Sequence, residues 1–125
     1  MLDVSGNIRA SGNFISSGTT LEVPDYVFEP DYALTPLTEL AAYIQREKHL
    51  PDLPSAAEIK VQGLNMGEFQ MSLLKKVEEL TLYTLVQEQM IQAQASTITD
   101  LQAQGATIAA LTARLAALEQ ASARR

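Results

Sequence analysis

The sequence predicts a mainly α chain with a small N-terminal β part: a parallel trimeric coiled coil, short helices and an intertwined β-stalk segment. Three observations predict it. Apolar residues recur in alternating steps of four and three along the C-terminal half, which is heptad spacing. A six-residue repeat built on Ser-Gly opens the chain, and a proline-punctuated stretch lies between the two. The expected division is 1–24 for the β-hexad stalk segment, 25–65 for a small linking domain and 66–125 for the long coiled-coil helix.

The hexads come first. Ser5-Gly6-Asn7-Ile8-Arg9-Ala10 aligns with Ser11-Gly12-Asn13-Phe14-Ile15-Ser16 and then with Ser17-Gly18-Thr19-Thr20-Leu21-Glu22. Gly takes positive φ freely and Asn tolerates it, so each hexad starts with turn chemistry. The Val, Ile, Phe and Leu positions between the turns favour short strands. So few hexads cannot bury both strand faces alone. Copies of the same chain would complete them; a flexible tail is the plainer alternative.

The middle segment reads as short helices separated by prolines. Thr35 is expected to cap a helix with Pro36 at its first position, where the missing N–H is harmless. Leu37, Leu40, Ala41 and Ile44 then form one apolar stripe, Lys48 and His49 occupy the last turn, and Pro51 stops the helix. Ser55 and Glu58 make a capping box for a second helix ending at Gly63. Asn65, three residues before Glu68, offers a third cap. Tyr26, Val27, Phe28, Tyr32 and Leu34 are expected in an extended segment broken at Pro30.

From about Met66 to Ala123 good helix formers dominate and only Gly105 interrupts them. At ~1.5 Å per residue the helix would run roughly 80 Å, against a radius of gyration of ~14 Å for a compact domain of this size. It must fold back or find partners. The seam expected to hold copies together is Leu73, Val77, Leu80, Thr84, Gln87, Ile91, Gln94, Ile98, Leu101, Gly105 and Ile108, continued by Leu111, Leu115 and Leu118. Two adjoining three-residue steps near Gly105 make a stammer, a local overwinding. Thr84, Gln87 and Gln94 dilute the seam but can fix register. Between Gln89 and Ala113 the only charge is Asp100, so salt bridges cannot choose the partner and self-association is expected. The rival is an antiparallel hairpin turning near residue 96, capped by Ser96, Thr97, Thr99 or Asp100.

Composition narrows function. The 125 residues include no Cys and one His, and the net charge of −6 argues against nucleic acid or an anionic membrane as partner. No apolar run is long enough to span a bilayer, and the start of the chain has no signal-peptide pattern. No enzyme activity, cofactor or metal is expected. Asp25, Glu29 and Asp31 lack the pattern of a calcium loop. His49 has no nucleophile suggested beside it and reads as a capping or packing residue. Tyr26, Phe28, Tyr32 and Tyr43 can line a sugar or protein site, with core packing the default.

Four ordered motifs carry a resemblance: Leu2-Asp3-Val4-Ser5-Gly6-Asn7-Ile8-Arg9-Ala10, Pro24-Asp25-Tyr26-Val27-Phe28, His49-Leu50-Pro51-Asp52-Leu53-Pro54-Ser55-Ala56 and Gly63-Leu64-Asn65-Met66-Gly67-Glu68. With the stretch Leu73 to Leu85, they resemble the C-terminal region of tail-fibre-like surface proteins of Bacteroidetes-type bacteria. The likeness covers about residues 2–91. It implies a trimeric fibre terminus, extracellular, on a cell surface or a phage-like particle. The self-cleaving endings of phage tail spikes occupy a similar position, but their Ser-Asp-x-Arg-x-Lys type of signature is missing here. A module of a longer fibre and a short stand-alone relative both fit. The resulting expectation is a structural homotrimerisation module that sets chain register, three-fold because of the hexads and the resemblance. A receptor- or glycan-binding tip and an adaptor of an injection particle are the alternatives.

Overall fold

The computed structural model describes residues 1–16 and 21–124. The chain divides into two compact units, Met1–Leu80 and Thr81–Arg125. In order it forms a short 3-10 helix at Pro24–Phe28, then α1 (Leu37–Glu47), α2 (Ala56–Gln62) and α3 (Met66–Ala123).

The expected β part is not there. Among the described residues there is no strand, so the small N-terminal β part and the intertwined β-stalk segment are corrected. Residues 1–16 bend at Ser5-Gly6 and Ser11-Gly12 and are exposed throughout; of the third hexad, residues 17–20 lie outside the described residues. The glycine expectation is met at Gly6, with φ 138°, and not at Gly12, which is not in the positive-φ region. Between turns, however, the repeat leaves too few residues for a strand of ordinary length, and no neighbouring strand supplies a ladder. The segment expected to be extended also differs, because Pro24 starts a 3-10 turn with Asp25 in it. Proline preset at φ near −65° favours such a turn.

α1 starts one residue later than Thr35-Pro36 chemistry implies. Pro36 is itself the N-cap, with ψ 141°, and its carbonyl accepts the Leu40 N–H at 3.0 Å. The helix ends at Glu47, and Lys48 closes it in the left-handed region, φ 62°, donating its N–H to the Ile44 carbonyl at 2.9 Å. His49 therefore lies beyond the last turn. α2 has the expected capping box: the Ser55 N–H donates to Glu58 Oε2 at 2.7 Å and the Glu58 N–H to Ser55 Oγ at 3.2 Å. Those bonds hold the Glu58 carboxyl below its ordinary range. Gly63, φ 76°, ends the helix.

α3 begins at the Asn65 cap, whose Oδ1 accepts the Glu68 N–H at 3.3 Å. It passes through residue 96 and through Gly105 without a break, so the hairpin is not formed. Thr97, Thr99, Thr107 and Thr112 do not cap a turn; each hydroxyl donates to the carbonyl four residues earlier, at 2.8–3.1 Å. In the first unit little is buried. Among the described residues only Pro24, Val27 and Glu78 are buried. In the second unit every described residue from Thr84 to Arg124 is exposed.

Candidate assembly interface

Two faces of α3 compete for attention in the first unit. Met71, Lys75 and Glu78 share one face at i, i+4 and i+7; Leu73, Val77 and Leu80 share another, displaced by two residues and so by about 200° around the helix. The proline-rich segment packs on the first face. Tyr32 donates its hydroxyl to Glu79 Oε1. Lys75 and Lys76 donate to Asp52 Oδ2 at 2.8 and 3.1 Å, and Lys76 also reaches Glu79 Oε2 at 2.8 Å. The Lys75 ammonium stands 5.9 Å from the Tyr26 ring centroid, and Tyr26 lies 6.0 Å from Tyr32.

These contacts shift the groups that make them. Burial, reinforced by the hydrogen bond to Glu79, raises the Tyr32 phenol to about 12. The hydrogen bond to Asp52 raises Lys75 to about 12, and the same bond is the main cause lowering Asp52. Glu78 is 9% exposed and its Oε2 has no hydrogen-bond partner among the described residues. Desolvation, with the Asp25 carboxylate adding to it, pushes Glu78 upward.

The opposite face stays open. Val77 is 58% and Leu80 62% exposed, with Leu73 beside them also exposed. On α3, Met71, Lys75 and Lys76 are half-buried and Glu78 is buried, while Leu73, Val77 and Leu80 are exposed. In the second unit the seam positions Ile91, Ile98, Leu101, Ile108, Leu111, Leu115 and Leu118 are each more than half exposed, and the seam positions Thr84, Gln87, Gln94 and Gly105 are exposed as well.

The remaining candidates are placed as follows. His49 Nδ1 lies 2.9 Å from the Leu50 carbonyl, and its ring meets Tyr43 edge-on at 5.8 Å, a packing arrangement. Asp25, Glu29 and Asp31 do not form a metal group; among the described residues no cluster of three or more His, Cys, Asp or Glu is close enough for one. Among the same residues no helix is long and apolar enough to cross a membrane. The Tyr32–Glu79 and Asp52–Lys75/Lys76 links escape a reading of the sequence, because their partners are 23 to 47 residues apart and no local period connects them. Comparison with family models, curated proteins and solved structures finds no match to this chain.

Proposed function

We propose that this chain is a non-enzymatic structural protein in which α3 assembles copies side by side, setting their register in a fibre-like protein on a cell surface or a phage-like particle outside the cell. One observation carries the reading: the chain's own contacts engage the α3 face of Met71, Lys75 and Glu78, while Leu73, Val77 and Leu80, at heptad spacing, are exposed to solvent. Each apolar seam residue buried against a sister helix contributes ~1.5–2 kcal/mol. Thr84, Gln87 and Gln94 weaken the seam locally and fix in-register pairing by hydrogen bonding across it. Three copies is the number the fibre resemblance supports; the hexads, not being strands, no longer contribute to it. At the rings a glycan tip would use, Lys75 stands 5.9 Å from the Tyr26 centroid and Glu79 accepts a hydrogen bond from the Tyr32 hydroxyl, while Tyr26 keeps 39% of its surface exposed.

The test is mass in solution by light scattering at two protein concentrations. The chain is expected at three times 13.6 kDa. Replacing Ile98 and Leu101 by Asp places two unpaired charges in the seam, each costing several kcal/mol if buried, and is expected to give a 13.6 kDa species. A wild-type chain that is folded and monomeric at both concentrations overturns the reading.

A further inference from the structure

We infer that the groove between the N-terminal segment and the start of α3 is part of the contact between copies, filled by the same end of α3 from a second copy. The inference rests on the assembly reading above. Ile8, Phe14, Ile15, Leu21, Met66 and Gln70 line the groove, which has a volume of about 870 Å³. Stepping back from Leu73 by three and then four residues reaches Gln70 and Met66, so the helical wall of the groove is the seam itself, carried one heptad earlier.

The other wall is apolar and open. Phe14 is 79% and Ile15 84% exposed, facing a Met66 that is 67% exposed. Leu21 closes against the helix at Gly67: a Cβ there would stand 3.1 Å from Leu21 Cδ2, so the absent side chain lets the two approach. Glu68 is the one charged residue among those lining the groove; the seam positions Met66 and Gln70 of a sister helix, the residues that would enter it, carry no charge. A second copy fits on continuity. Helices running the same way bring equal residue numbers to the same level, so a sister Met66 arrives where Phe14 and Ile15 stand open. An opposed helix would bring a different residue there.

The chain has no cysteine, so an introduced thiol is unique. Chains carrying Phe14→Cys and chains carrying Met66→Cys, one set mass-tagged, are unfolded, mixed, refolded together and treated with a short bis-maleimide. Because each chain has a single thiol, a mixed product can only be intermolecular. Leu101→Cys chains, coupled to each other, control for assembly. In parallel, Phe14→Glu changes a side chain already open to water in the single chain, so its effect reports contact between copies. Mixed 14–66 products and at least a tenfold rise in the half-dissociation concentration of Phe14→Glu are expected. If Leu101→Cys chains couple but either the 14–66 product or the Phe14→Glu shift is absent, this inference is overturned and the assembly reading stands. If Leu101→Cys chains do not couple and the mass is monomeric, both fall.

Discussion

Burial without a donor sets the behaviour of Glu78. Its Oε2 has no partner among the described residues, and the neighbouring Lys75 and Lys76 are engaged by Asp52 and Glu79. Desolvation, with Asp25 adding to it, raises the folded-state carboxyl above its ordinary 4.5. A raised folded value means the native form holds the proton more tightly, so the stability linked to Glu78 is full below 4.5 and is lost as pH rises through the raised value. Glu78→Gln is therefore expected to be more stable than the parent chain at pH 7 and to lose that advantage near pH 4, read by urea denaturation at both values. Asp52 has the opposite sign. Its folded value is lowered, chiefly by Lys75, so its contribution is present above its ordinary 3.8 and fades as pH falls through the lowered value. Being half exposed, it is worth at most ~1 kcal/mol, and Asp52→Asn is expected to lose no more than that at pH 7. Neither environment is legible in the sequence, where Glu78 and Glu79 are adjacent identical acids on a helix. The faces they occupy separate them: one feels the charge of Asp25 and the other bonds Tyr32 and Lys76.

At the level of elements, the helices announce themselves through their ends. Ser55 with Glu58, Gly63 and Asn65 can be read because capping chemistry is local, the partners lying three or four residues apart. Lys48 shows the limit of that reading: a left-handed C-cap normally falls to Gly, so a Lys there gives no signal. The strand reading fails because strand formation depends on a neighbour, which residues 5–16 do not encode by themselves. Gly105 offers a direct test of α3. It lies mid-helix with nothing within 4 Å of where its Cβ would sit, and Gly in a helix interior costs about 1 kcal/mol relative to Ala. Gly105→Ala is expected to raise the thermal midpoint of helix loss by circular dichroism; a lowered midpoint would mean that a close neighbour needs the missing side chain.

At the scale of the whole molecule, each unit exposes apolar side chains at heptad spacing: Leu73, Val77 and Leu80 in the first, Ile98, Leu101, Ile108, Leu111, Leu115 and Leu118 in the second. The spacing of these positions is legible in the sequence; that sister copies cover them is the proposal the mass measurement tests. Which α3 face the chain keeps for itself is not legible there, because Asp52 and Tyr32 reach the helix from distant positions. Charge plays a small part along the seam, with Asp100 alone between Gln89 and Ala113. Raising NaCl from about 0.05 to about 0.5 M shortens the Debye length to a few ångströms, yet is expected to leave the half-dissociation concentration within a factor of about two, by light scattering. A loss of more than tenfold would mean ion pairs hold the copies together. The threonine ladder has a related consequence for dehydration. Thr97, Thr107 and Thr112 already spend their hydroxyl protons on carbonyls of their own helix. Water leaving these three hydroxyls strands no donor, so drying α3 at those points carries little enthalpic penalty, in the way a waxed cord sheds a film.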